Sequence, residues 1–163
     1  MATGSVSALD QDTWQLIQTN TTTSGTTSTF SGLSGYKEYL VAFEGVSTSS
    51  SANIKLTFNS SSSNYYGGSH LQYSNGNVEN ATSSIYCNNA GYNNALNGII
   101  SIKNVKNGAP KIVKGENLLS GGGNYPSEVS GGWTDISEIT SITFTTSAGS
   151  FSAGSMKLYG IAG

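Results

Sequence analysis

The apolar residues of this chain recur at every second position, in short runs broken by Gly, Ser and Asn. In Asn53-Ile54-Lys55-Leu56-Thr57-Phe58 one face can be buried while Lys55 and Thr57 point outward. Ile142 and Phe144 repeat the pattern around Thr143, and Met156 and Leu158 around Lys157. Residues 39–43 are apolar at every position, which suits a strand covered on both faces. Further runs lie at 14–19, 29–33, 70–73, 83–87, 98–103 and 111–114. Helical spacing is missing, and Thr, Ile and Tyr favour the pleated state, so an all-β chain is expected.

Turn chemistry agrees with that reading. Asn75-Gly76 and Asn107-Gly108 supply residues that accept positive φ, and Gly67-Gly68, Gly121-Gly122-Gly123 and Gly131-Gly132 read as loops. Residues 102–113 read as two strands joined near Asn107-Gly108, with Pro110 hinting at an edge position. About nine or ten short strands at this spacing predict an antiparallel β-sandwich. Residues 13–163 are expected to form one such domain, preceded by a flexible arm over 1–12 that lacks any apolar period. Thr- and Ser-rich patches at 19–28, 47–51 and 60–63 fall between strand candidates and read as surface loops.

Composition decides whether such a chain folds. Gly, Ser, Thr and Asn make up 82 of the 163 residues, and Ile, Leu, Val and Phe only 33, near the border of disorder. The net charge of −2 and sixteen aromatic residues argue for a folded domain. Seven Lys and no Arg leave no basic face for nucleic acid. No run approaches the roughly 20 apolar residues of a membrane span. No basic start followed by an apolar run marks a secretory signal, so synthesis in the cytoplasm without Sec export is expected.

Catalytic chemistry finds little to stand on. His70 is the one imidazole, and its neighbour Ser69 points to the opposite face of a strand, so the pair cannot act as nucleophile and base. Cys87, opposite Tyr86 by alternation, reads as a small buried residue. The nine carboxylates, among them Glu38, Glu44, Glu116, Glu128, Asp135 and Glu138, have no context that forces two of them into a cleft. Asp10-Gln11-Asp12 lacks the remaining ligands of a calcium loop, and one Cys with one His cannot supply an ordinary zinc shell. No enzyme, cofactor or metal is expected.

Two groups of residues read as binding surfaces. Tyr65, Tyr66, Tyr92, Tyr125 and Trp133 lie in segments rich in Gly and Asn, where rings could stack on sugars or anchor another subunit, or where some of them could pack into the core. Lys103, Lys106, Lys111 and Lys114 fall within twelve residues and could face an acidic partner or guard a sheet edge against aggregation.

Laid out in order, several stretches resemble the β-sandwich (jelly-roll) virion proteins of tailed bacteriophages. They are Trp14-Gln15-Leu16-Ile17, Phe30-Ser31-Gly32-Leu33, Tyr36-Lys37-Glu38-Tyr39-Leu40-Val41, Ile54 to Asn59 and Gly98 to Ile102. The closing pair, Ile139 to Phe144 and Gly154-Ser155-Met156-Lys157-Leu158-Tyr159-Gly160-Ile161, carries most of the likeness. The resemblance implies a structural role in the virion and assembly as a homo-oligomer, often a trimer, in contact with the major capsid protein or other virion proteins. The chain has no coiled-coil heptads and no collagen-like repeat, which favours a capsid decoration (cement) protein over a long fibre. The alternative is a tail or receptor-binding module that recognises host-surface glycans, with Trp133 as the first contact.

Overall fold

A computed structural model describes residues 13–71, 78–80, 82–88, 95–121 and 124–163, the backbone alone for 78–80. Among them twelve strands run in chain order: β1 (Gln15–Thr21), β2 (Thr27–Ser31), β3 (Tyr36–Thr48), β4 (Ile54–Phe58), β5 (Tyr65–Leu71), β6 (Val78–Asn80), β7 (Ile85–Tyr86), β8 (Ala95–Lys103), β9 (Lys111–Ser120), β10 (Asn124–Trp133), β11 (Ser141–Thr146) and β12 (Phe151–Ala162). The expected arm over 1–12, the Asn75-Gly76 turn, Tyr92 and Gly122-Gly123 lie outside the described residues.

The strands form two antiparallel sheets. The large one has the order β1-β12-β3-β8-β9-β10-β5-β6 and the small one β2-β11-β4-β7. Both ends of the chain alternate between the sheets, so that β1 and β3 flank β12 while β2 and β4 flank β11. This nested winding is jelly-roll-like, and it joins segments more than 100 residues apart. The all-β sandwich expected from the period-two runs is what the chain forms.

The core is thin and aromatic. Phe43 of the large sheet meets Phe144 of the small one edge to face at 5.4 Å, and Phe144 meets Phe30 at 6.3 Å. Ile54, Leu56 and Phe58 are buried while Lys55 and Thr57 are half-buried on the outer face, as alternation requires. Segment 39–43 departs from expectation: Tyr39, Val41 and Phe43 are buried, but Leu40 and Ala42 face outward and are only half-covered. Among the described residues no third layer stands over them.

Glycine-rich segments were the hardest to place from sequence. Gly67-Gly68 and Gly131-Gly132 read as loops, yet they lie inside β5 and β10, where Gly67 pairs with Gly131. Gly67 has φ +88°, and a Cβ there would collide with the carbonyl oxygen of Ser130. Only glycine lets the two strands approach in that conformation. The hairpin at Asn107-Gly108 is present, with Lys103 opposite Ile112 and Gly108 at φ +102°. Pro110 does not mark an edge, however. It precedes β9, which is flanked by β8 and β10 in the middle of the large sheet.

Asn59 closes the loop between the sheets at one end. Its Oδ1 accepts from the Thr140 N–H at 2.8 Å and the Ser141 N–H at 3.1 Å, and its Nδ2 donates to the Glu138 carbonyl at 2.7 Å. Asn at φ +50° is one of the few side-chain-bearing residues that tolerates the left-handed region.

Candidate functional site

The five aromatic candidates separate by strand parity. Tyr65 and Trp133 are register partners of β5 and β10 and both point inward, at 4% and 2% exposure. Their rings stack at 5.9 Å with an interplanar angle of 15°, and Phe58 packs on Trp133 at 5.6 Å. The Trp133 Nε1–H donates to the Ser63 carbonyl at 3.1 Å, and the Tyr65 hydroxyl accepts from the Phe58 N–H at 2.7 Å. The expectation that these two rings offer surface contacts is therefore overturned: both are core. Tyr125 is half-buried against the same core, and Tyr92 lies outside the described residues. Tyr66 alone of the four described is exposed, at 49%.

The four lysines do not form one charged interface either. Lys103 pairs with Glu38 at 3.8 Å across β8 and β3, and Lys106 donates to the Gly163 carbonyl. Lys111 opens β9 on the inward parity shared with Val113 and is fully buried. Its ammonium donates to the carbonyls of Lys106 at 2.9 Å and Ala109 at 2.7 Å, tying the hairpin turn to the strand below it. Burial pushes its pKa below the ordinary lysine value, while Asp135 and Glu138 push the other way. Lys111→Met keeps the buried stem and removes both bonds. A cost of about 1–3 kcal/mol is expected in urea unfolding, since each bond to a charged donor is worth about that order. A variant as stable as the parent would show that the turn needs no tie.

Lys114 belongs to a different place, the outer face of the large sheet. Cross-strand register sets that face out in rows. One row runs His70, Glu128, Glu116, Ile99 and Ala42 across β5, β10, β9, β8 and β3. The next runs Gly68, Ser130, Lys114, Ser101 and Leu40, and the third Tyr66, Gly132, Ile112, Lys103 and Glu38. Because the middle row is mostly glycine and serine, a shallow valley of about 430 Å³ opens there, lined by Ile99, Ser101, Lys114, Glu116, Glu128 and Ser130. Among the described residues Lys114 and Glu116 have no side-chain partner. Sequence reading treated Glu116 and Glu128 as solvated carboxylates. What it missed was that β9 and β10 pair so that both stand in one row.

The remaining chemistry-bearing residues stay apart. His70 is half-buried on the outer face, whereas Cys87 is buried between the sheets, where desolvation pushes its thiol pKa up and away from a reactive thiolate. Asp135 is held below the usual carboxylate range, first by the Ser137 side chain and then by its backbone N–H, 2.7 Å away. Glu44 and Lys157 form an exposed ion pair at 2.7 Å. Among the described residues no three His, Cys, Asp or Glu side chains gather as a metal site would require. Compared with known proteins, the chain matches no family model, no curated protein and no solved structure.

Proposed function

We propose that the chain is a non-enzymatic structural subunit of a tailed-bacteriophage particle. Its specific role is that of a capsid decoration protein, assembled as a homotrimer and seated on the major capsid protein. The reading starts from the sequence resemblance. The stretches that carry it fall on β1, β12, β3 and β8, four neighbouring strands of the large sheet, and on β2, β11 and β4, three neighbouring strands of the small one.

The observation that supports it best is a pair of sheet edges whose own strands carry no charge. No Asp, Glu, Lys or Arg occurs from Thr13 to Tyr36, and this segment supplies both β1 and β2, the edge strands of the two sheets on that side. Trp14 and Leu16 are exposed beside them at 41% and 56%. Exposed edges usually carry lysine or proline against unwanted pairing, and these carry none. Among the described residues the β2 edge pairs with no second strand, and its Thr29 carbonyl takes the Asn20 side-chain amide at 3.0 Å. Closed symmetry then multiplies each modest contact over the shell.

Lysines placed at Thr19 and Thr27, both exposed, restore the missing guard charges without touching the core. Light scattering is expected to show the oligomer falling to monomer at unchanged far-UV circular dichroism. The same variant should no longer load onto particles. Particles stripped of the protein are expected to burst at lower temperature or under milder osmotic shock. Equal robustness without it, together with a location away from the head, would end the decoration reading.

A further inference from the structure

We infer that the valley on the outer face of the large sheet binds a neutral saccharide, with the ring of Tyr66 as its stacking platform. The valley itself is lined from β8, β9 and β10, and Tyr66 on β5 stands in the row next to its Ser130 and Lys114 row; the site is across the sheet from the uncharged edge and does not depend on the decoration role.

The platform is built by a glycine. A Cβ on Gly132 would sit 2.5 Å from the Tyr66 hydroxyl oxygen, so the tyrosine side chain lies along the sheet over that bare backbone. Its ring is 49% exposed and pairs with no other ring among the described residues. One ring face thus rests on the protein while the other is open, the presentation that suits stacking against the C–H face of a sugar. Ile112 extends the same wall in its row. Tyr66 and His70 stand four residues apart on β5, about 13 Å, and the floor of Gly68 and Ser130 lies midway between their rows.

The opposite row carries two carboxylates beside Ile99. Glu116 and Glu128 stand directly opposite each other on β9 and β10. Lys114 stands one row away, so acceptors and a donor alternate across the valley beside the Ser101 and Ser130 hydroxyls. The Ser101 hydroxyl donates to the Lys114 carbonyl at 3.2 Å, so its oxygen is left as an acceptor.

Ligand classes differ in how they meet such a lining. A phosphate-rich or sulfated ligand meets two carboxylates and is repelled. An apolar one strips water from Lys114 and Glu116 without replacing their hydrogen bonds. Sugar hydroxyls donate to the carboxylates and accept from the ammonium at once, while their C–H face covers Tyr66. The open, shallow shape fits a chain segment lying across the strands.

The test is a screen of neutral oligosaccharides against the full chain, followed by titration calorimetry of the strongest binder. Tyr66→Ala and Glu116→Gln are each expected to weaken binding at least tenfold. Tyr66→Phe, which keeps the ring, should stay within about threefold of the parent. Glu116 is an exposed side chain without a partner, so its variant reads the site even if Tyr66→Ala loosens the fold. Lys157→Ala, distant on β12, should leave affinity unchanged. No binding to any neutral saccharide, or binding untouched by both Tyr66→Ala and Glu116→Gln, overturns the proposal. So does salt-sensitive binding of a lysine-rich peptide at the same residues with no saccharide bound.

Discussion

Replacing Trp133 with alanine is expected to cost about 3–5 kcal/mol of folding stability, the range for truncating a large aromatic ring in a packed core. The ring is 2% exposed, stacked on Tyr65 and packed on Phe58, and its N–H is spent on the Ser63 carbonyl. Alanine leaves a void between β5, β10 and the Phe58 end of β4 that these neighbours cannot fill, because they are themselves held by ladder hydrogen bonds. For a chain of this size the melting temperature should fall by roughly 10 °C or more. Trp133→Phe should lose much less, since most of the ring contact survives. Fluorescence offers an independent reading: Trp14, 41% exposed, should be quenched by acrylamide, and Trp133 should be protected. A stable Trp133→Ala variant with an altered binding surface would contradict this packing. The consequence for function is practical, because loss of glycan or particle binding in Trp133→Ala would report unfolding and not a lost contact.

The second large effect is alkaline unfolding. Burial is the leading cause that pushes up the pKa of Cys87, Tyr39 and Tyr65, with Tyr65 raised to about 12 and Glu138 adding to the shift at Tyr39. Below about pH 8.5 all three groups are protonated in both folded and unfolded chains, so their contribution is fully present. As pH rises the unfolded chain releases first the thiol proton and then, near pH 10, the phenolic ones, while the folded protein retains them. Stability therefore falls with pH through this window. Tyr65 alone accounts for up to about 3 kcal/mol once the pH passes its folded value, at 1.36 kcal/mol per unit. Lys111 acts in the opposite sense, its lowered pKa adding stability as pH climbs toward the ordinary lysine value. Three groups outweigh one. Absorbance at 295 nm should report tyrosinate from Tyr39 and Tyr65 in one step with loss of circular dichroism, not as an earlier smooth titration. Cys87→Ala should remove the part of the loss that begins near pH 8.5. A melting temperature flat from pH 8 to 11 would mean that the three groups are open to solvent.

Part of this architecture was legible residue by residue. The period of two in 53–58 and around Thr143 and Lys157 placed Ile54, Leu56, Phe58, Ile142, Phe144, Met156 and Leu158 inside, and all seven are buried. Cys87, expected buried from its alternation with Tyr86, is buried. The failures cluster in segments without an apolar period. Most of β10, Asn-Tyr-Pro-Ser-Glu-Val-Ser-Gly-Gly-Trp, reads as a loop, and β3 continues through Thr48 into a serine-rich stretch assigned to the surface. In both, the strand state comes from neighbours on either side that satisfy the backbone, a long-range condition that composition does not encode.

By itself, the sequence determined what each short segment could be. Alternation is a local property: it states which side chains share a face and hence that two sheets must close over a core of Ile, Leu, Phe and Tyr. Charge is additive, so seven Lys, no Arg and nine acids can be counted directly, and that count is the ground for expecting no nucleic-acid partner. Which strands stand side by side was decided only in three dimensions. Pairing Tyr65 with Trp133 turned two apparent surface rings into core, and Lys111 alone of the four lysines is fully buried, beneath the hairpin turn. Pairing β9 with β10 set Glu116 against Glu128, and pairing β5 with β10 laid Tyr66 over Gly132. Register couples residues far apart in sequence through backbone hydrogen bonds that every residue type can make, so side-chain chemistry along the chain cannot announce it. The valley that Tyr66 borders exists because of that coupling.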